Sequence, residues 1–368
     1  MPDELMYRIA LTQVPMLGDV SIRKLLEHFD SAAAIFRARS WQLEKTAHIG
    51  SIKANAIRKF SDFTSIEKEI SFLSDYDIQP LWIQDSSYPG RLKHCYDAPA
   101  MLYYKGKADL NGHRMVNVIG TRQPSPYGVQ VCGQIVNDLC AAGVIIVSGL
   151  AYGIDIIAHR AALAAEQPTV GVLAHGLDRI YPSVHQDTAR EMALKGGLLT
   201  DYRCGTLPDR QNFPRRNRIV AGLCDATIVI ESGIKGGSLI TAELANGYNR
   251  DVFCVPGRIN EWHAAGCNSL IQQNKAMLAT AASDILDTMG WNKPVNKGIR
   301  SLQPSLFTSL SAEEQQIMAL FEGKSRLHLE ELYIHSKLSG SQVATAVFNL
   351  EMQCLIKCLP GQLYEPVS

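Results

Sequence analysis

A chain of 368 residues, 46% of them hydrophobic, has the length for two or three domains and the apolar content for buried cores. Its 36 basic residues balance 36 acidic ones, which excludes binding through a general positive field and requires any nucleic-acid contact to come from a local patch. Asp3, Glu4 and Asp19 break what would be the apolar core of a signal peptide, and no run reaches membrane-spanning length, so the reading is a cytoplasmic protein without a membrane partner.

The nine cysteines form no Cys-x-x-Cys, and several stand in apolar segments, as Cys254 does, so they read as reduced core residues. Cys354 and Cys358 lie four apart, but no third and fourth ligand follows at zinc spacing, and no metal is assigned.

Residues 1–75 read as helical, with an apolar stripe through Leu25, Leu26, Phe29, Ile35 and Phe36. Gly18 and Gly50 head two similar segments, 14–26 and 47–57, each resembling a helix-hairpin-helix that offers amides to a DNA phosphate; a plain helical bundle reads equally well, since the second hairpin glycine is missing in both. From residue 76 the pattern changes. Pro80 to Ile83 and Met101 to Tyr104 read as strands, followed by short β-branched runs at 115–119, 144–147, 169–173, 197–200, 226–230 and 251–255. Helical stripes such as Val131, Ile135 and Leu139 alternate with them, which predicts an α/β fold with a central doubly wound parallel sheet over 76–288.

Ligands gather beyond the carboxyl ends of such strands, so the strand-end sequences carry the chemistry. They are Gly120-Thr-Arg122, Ser148-Gly149 and Glu231-Ser-Gly-Ile-Lys-Gly-Gly-Ser238, the last leading into a helix through Thr241. Small residues before a helix let backbone amides close on a phosphate, and the helix dipole adds favourable potential. After the fourth strand comes the densest patch, where Arg210, Arg215, Arg216 and Arg218 surround Phe213 and Asn217 with no acid among them. Guanidinium forks match phosphate oxygens and an aromatic face takes an unpaired base, which describes a tracked single strand; the alternative is a solvated basic turn. No Gly-x-Gly-x-x-Gly or Walker lysine motif is present, so no dinucleotide, nucleoside triphosphate or other cofactor is assigned. Asp155 and His159, four apart on one helix, read as a structural pair pinning the helix to a loop, and Asp178 and Tyr181-Pro182 as turn residues. Glu231 reads as an acceptor for the amides of the loop that follows it, and no residue is assigned a catalytic role.

Residues 289–308 are rich in proline, glycine and polar side chains and read as a linker. Beyond it, Ser311 and Glu314 form a capping box, two further helices are predicted near 328–336 and 341–353, and 355–364 reads as a hairpin turning at Pro360-Gly361. Three helices and a hairpin predict a winged-helix domain over 309–368. It holds seven acidic residues (Glu313, Glu314, Glu322, Glu330, Glu331, Glu351 and Glu365) against four basic ones (Lys324, Arg326, Lys337 and Lys357), so a protein-binding or regulatory role is expected of it.

Six segments together resemble the DNA-processing protein A (DprA/Smf) family over residues 76–285. They are Val118-Ile-Gly-Thr-Arg122 with Tyr127-Gly128, the run from Val147 to His159, Gly176-Leu-Asp-Arg-Ile-Tyr-Pro182, the run from Phe213 to Gly222, Gly237-Ser-Leu-Ile-Thr241, and Val255-Pro-Gly257. Asp201 stands where that family commonly has glutamate, His185 where it has asparagine, and Arg210 where lysine is expected; Lys235-Gly236 falls where the family varies. The resemblance implies a Rossmann-like domain that binds and protects single-stranded DNA, forms a homodimer and loads RecA recombinase during natural transformation. It places Arg122, Phe213, Arg215, Asn217, Arg218, Gly237 and Ser238 at or near the DNA path and the dimer contact around Leu270, Ile271, Met277 and Leu278. With the strand-end residues, the candidate DNA contacts are Thr121, Arg122, Ser148, Gly149, Arg210, Phe213, Arg215, Asn217, Arg218, Lys235, Gly237, Ser238 and Thr241. A rival reading is a nucleoside-monophosphate phosphoribohydrolase resembling the lysine decarboxylase-like family, on the strength of the Gly236-Gly237 loop that runs through Thr241 to Glu243.

Overall fold

Short runs of Val, Ile and Leu bounded by glycine and polar residues become strands buried on both faces once helices cover the sheet. A computed structural model describes residues 4–46, 48–112, 114–292, 310–321, 326–353, 355–359 and 363–366. The chain divides into two compact units, Met1–Pro294 and Val295–Ser368. No helix among the described residues is long and apolar enough to cross a membrane.

The first unit begins with six helices: α1 (Glu4–Gln13), α2 (Asp19–Leu26), α3 (Ala32–Arg37), α4 (Ser40–Glu44), α5 (Ser51–Lys59) and α6 (Phe63–Asp75). Their buried faces, with Ile9, Leu11, Ile22 and Leu25, join the same core as Leu81, Trp82 and Leu102 of the sheet. Gly18 and Gly50 stand at the N-caps of α2 and α5, and Lys53 Nζ bridges the two segments by donating to Ser21 Oγ at 2.8 Å. Ala47, in the second of these segments, lies outside the described residues. At the start of α2, Asp19 accepts from the Ala100 amide at 2.9 Å, so this helix opens with a carboxylate turned toward the sheet domain.

Then come β1 (Gln79–Trp82), α7 (Gly90–Lys93), β2 (Met101–Gly106), β3 (Met115–Ile119), α8 (Pro126–Ala141), β4 (Ile145–Ser148), α9 (Ile154–Ala164), β5 (Thr169–Val172), α10 (Gln186–Lys195) and β6 (Gly197–Thr200). The unit continues through α11 (Asn212–Leu223), β7 (Ala226–Val229), α12 (Gly237–Gly247), β8 (Asp251–Cys254), α13 (Trp262–Gln272), β9 (Met277–Leu278) and α14 (Ala282–Thr288). The nine strands form one sheet in the order β1-β2-β6-β5-β4-β3-β7-β8-β9. From β6 to β9 every pairing is parallel, while β1 with β2 and β2 with β6 are antiparallel. Alternation sorts the side chains: Val116 and Val118 of β3 pack with α8, α9 and α14 on one face, Met115 and Ile119 with the opposite core. Strand β9, parallel to β8, escaped the sequence reading because two exposed residues have no periodicity to detect.

The order fixes where a ligand can sit. Strand β3 has its successor β4 on one side and β7 on the other, so the connections leave it in opposite directions and open a crevice at the carboxyl ends of β3 and β7.

In the second unit, α15 (Ala312–Ala319) starts at the Ser311/Glu314 capping box, followed by β10 (Leu327–His328), α16 (Leu329–His335), α17 (Gly340–Met352), β11 (Ile356–Leu359) and β12 (Leu363–Pro366). The strands pair antiparallel in the order β10-β12-β11, over a core of Ile317, Leu332, Val343, Val347, Leu350 and Ile356. The predicted turn at Pro360-Gly361 and Cys354 lie outside the described residues, as do residues 293–308 of the predicted linker. Its start belongs to the first unit: Trp291 packs on the core beside α14, with the Arg114 guanidinium 5.8 Å from its ring.

Candidate nucleic-acid interface

A groove of about 1250 Å³ lies at the switch point, lined from the ends of β3 and β7, the approach to α11 and the start of α13. Among the expected residues it gathers Thr121, Arg122, Arg210, Phe213, Asn217, Lys235, Gly237, Ser238 and Thr241. Arg122, Arg210 and Lys235 are exposed, and no ion pair engages them among the described residues. Their charge therefore faces solvent uncompensated.

The start of α12 supplies the second element of the site. Gly236 caps it in extended conformation with no side-chain acceptor, so its first amides point at the groove with the positive end of the helix dipole behind them. Ser238 is buried and donates to Ser232 Oγ at 2.8 Å, and Ser232 donates to the Gly233 carbonyl, which stiffens the loop; Thr241 is buried one turn further on. Phe213 supplies the third element. Its half-buried ring lies 5.9 Å from that of Tyr181, and the Arg122 guanidinium stands 5.6 Å from its centroid, within cation–π reach.

Four of the expected contacts, Ser148, Gly149, Arg215 and Arg218, do not line the groove. Ser148 is fully buried and donates to the Val118 carbonyl at 2.6 Å, which stitches β4 to β3. Gly149 is a spacer: its amide donates to Asp155 Oδ2 at 3.1 Å, its carbonyl accepts from Arg216 Nη1 at 2.9 Å, and a Cβ there would come 2.4 Å from Arg216 Nη2. Arg218 turns inward, donating to Asp19 and Asp201 at 2.9 Å each and to the Asp97 carbonyl. Burial works against its charge, but Asp201 and Asp19 outweigh that and raise its pKa. Arg215 is exposed and does not line the groove. A helix period of 3.6 residues places these neighbours on different faces, and Arg216 follows it inward, buried, donating to the carbonyls of Gly149 and Val172.

Asp155 pins α9 to the loop after β4 by accepting from the amides of Gly149 and Ala151, as its spacing suggested, and burial raises its pKa against the pull of Arg216. His159 reaches Thr169 Oγ1 at 2.7 Å, and burial pushes its pKa down to about 3, so it is neutral. Glu231 does accept an amide, but that of Ser125 at the cap of α8 (2.9 Å), together with the Ser125 hydroxyl at 2.5 Å; it anchors the loop after β3 and not the one after β7. For the expected dimer contact, Leu270 is buried in the chain's own core and Ile271 packs against it, whereas Met277 and Leu278 are exposed on the outermost strand. The sequence reading took Tyr181 for a turn residue and did not single out Trp262; both are exposed aromatic residues that line the groove.

Fold and groove together define a doubly wound parallel-sheet protein with a cationic, aromatic-lined crevice at its switch point. Residues 79–290 match the family model described as DNA recombination-mediator protein A. The chain belongs to that family. It is 30% identical to Protein Smf of Synechocystis over 98% of both chains, and 38% identical to DNA processing protein DprA of Bacillus subtilis over 64% of this chain and 78% of that one. Among solved structures, DNA processing protein A of Streptococcus pneumoniae superposes with a TM-score of 0.68 at 33% identity, covering 77% of this chain and 97% of that one. The protein of the same name from Helicobacter pylori, described for its single-stranded DNA binding mode, gives 0.53 at 32% identity over 59% and 97%.

Proposed function

We propose that this protein binds single-stranded DNA along the switch-point groove, protects it, and delivers it to a RecA recombinase during natural transformation, without covalent chemistry of its own. The observation that carries the reading is the convergence, from three separate connections, of Arg122, Arg210 and Lys235 with the ring of Phe213 and the uncapped start of α12. Phosphates meet cations and amides there while an unpaired base meets an aromatic face. The Helicobacter pylori relative, whose described property is single-stranded DNA binding, adds support. Delivery to RecA and a homodimer through the edge at Met277 and Leu278 rest on the family resemblance.

The carboxylates near the groove support a binding role. Asp155 and Glu231 are held by amides, and Glu243, the acid of the hydrolase-like loop, is exposed, paired with Lys275 at 2.7 Å and absent from the groove wall. The deciding experiment is fluorescence anisotropy of labelled single- and double-stranded oligonucleotides across a salt series, beside an assay for base release from nucleoside monophosphates. Tight, salt-dependent single-strand binding with no base release is expected; base release without oligonucleotide binding would sink the proposal.

A further inference from the structure

We infer that Trp262 is a second base-stacking platform, so that the groove holds two separated bases of one strand, one at Phe213 and one at the indole. This inference rests on the single-strand reading above. Trp262 opens α13 and lines the groove, yet 58% of its surface is exposed, an unusual exposure for a side chain that gains so much by burial. Its place is on the other side of the switch point from Phe213. Phe213 meets Arg122 beyond β3, whereas Trp262 follows β8, which lies past β7 in the sheet.

The indole is held in position from two sides. The benzo end of its ring, at Cε3 and Cζ3, lies against Gly233, where a Cβ would come within 3.1 Å of Cε3 and push the ring by a few tenths of an ångström, so glycine suits this close approach. On another side His263 stacks at 3.9 Å between centroids with 32° between planes, and His263 Nε2 is within hydrogen-bonding distance of the Gln123 carbonyl, at 3.0 Å. The backbone beneath is tied as well: the Ser232 amide donates to the His263 carbonyl at 2.7 Å, and the Gly266 amide to the Ser232 carbonyl at 2.8 Å. A ring fixed this way loses little conformational freedom when a flat ligand lands on its open side, which is what a stacking platform requires. The wall that carries both aromatic stations also carries Lys235 and the start of α12, suited to the phosphates that join the bases.

The test uses the full chain, an end-labelled oligothymidylate and an oligonucleotide of equal length made of abasic sites. Trp262→Ala is expected to weaken oligothymidylate binding about five- to 150-fold, the range of one base–aromatic stack, with the salt slope kept, while abasic binding stays unchanged. Trp262→Phe should recover most of the loss. Tryptophan fluorescence should be quenched by oligothymidylate and not by the abasic strand, and Phe213→Ala should leave that quenching in place. Equal losses on both probes, or a change in sedimentation of Trp262→Ala that marks the indole as a subunit contact, would overturn the platform. If Phe213→Ala weakens binding and Trp262→Ala does not, the platform fails while the single-strand reading stands; if the wild-type chain binds neither probe, both fail.

Discussion

The outer and inner faces of the arginine-rich segment around α11 carry the same residue type to opposite ends. Arg210 on the approach to the helix is exposed and lines the groove with Phe213 and Asn217, and enters no ion pair among the described residues. Arg216 and Arg218, a few residues on, are spent inside: one bonds the carbonyls of Gly149 and Val172 beside Asp155, the other joins Asp19 of α2 to Asp201 after β6. A charge available to a ligand and a charge consumed by the fold look alike in sequence. They differ in what the substitution of each would do.

The largest effect is expected at Arg216. Removing it takes a donor from the buried Val172 carbonyl and the part-buried Gly149 carbonyl and removes the nearby positive charge that favours the ionised form of buried Asp155, so Arg216→Ala should cost about 3–5 kcal/mol in urea unfolding. A variant that unfolds like wild type yet binds DNA poorly would move Arg216 to the ligand side of the comparison.

Arg218→Ala comes next. Its side chain keeps 20% exposure, so solvent screens the pairing, and a loss of about 2 kcal/mol is expected, smaller than at a fully buried pair. The dependence of DNA affinity on salt should not move, since this guanidinium faces two aspartates and not the groove. Loss of slope would show that Arg218 leaves Asp19 when DNA binds.

Smaller still are Arg122→Ala and Arg210→Ala, each expected to leave stability within about 0.5 kcal/mol of wild type and to lower the logarithmic salt slope by about 0.7, the share of one phosphate on a single strand. Slopes unchanged in both would break the distinction between the two faces.

This pattern also explains what was legible in the chain. Strand positions were readable because β3, β5, β6 and β7 are buried on both faces and so are written as short, largely apolar runs with few polar residues. The rim was readable because strand ends in such a sheet face the ligand, and the runs after β3 and β7 proved to line the groove. Which arginine turns inward was not readable, since that depends on Asp19 and Asp201, far away in sequence, arriving at the same place. Ser148 misled for the opposite reason: a strand-end hydroxyl was satisfied by the neighbouring strand. Tyr181, read as a turn residue, and Trp262, not singled out, could have been placed on the rim by extending the strand-end rule to the connections after β5 and β8.

The smallest effect on DNA affinity is expected from the second unit, although we propose for it the winged-helix form that elsewhere reads DNA. A helix laid in the major groove needs Arg, Lys, Asn or Gln free to reach base edges. On α17, Asn349 donates to Glu314 at 3.0 Å and Gln342 accepts from Ser339 at the helix cap, so both are engaged within the unit. Its outward side instead carries Phe348 and Met352, 61% and 70% exposed and one turn apart, with Glu351 beside them. Of the cations among the described residues, Arg326 and Lys357 both bind Glu365, at 2.9 and 2.6 Å; Glu322 and Lys324 lie outside them. An acidic surface on which Arg326 and Lys357 are paired, leaving Lys337 as the one described Lys or Arg of the unit outside an ion pair, is repelled by a polyanion at ordinary salt, whereas an exposed apolar turn suits a protein partner. Deleting residues 309–368 should therefore change affinity for single- and double-stranded oligonucleotides by less than about tenfold in low salt, where any phosphate contact would weigh most. A larger loss on duplex DNA alone would place α17 in a groove after all and give this protein a second nucleic-acid site.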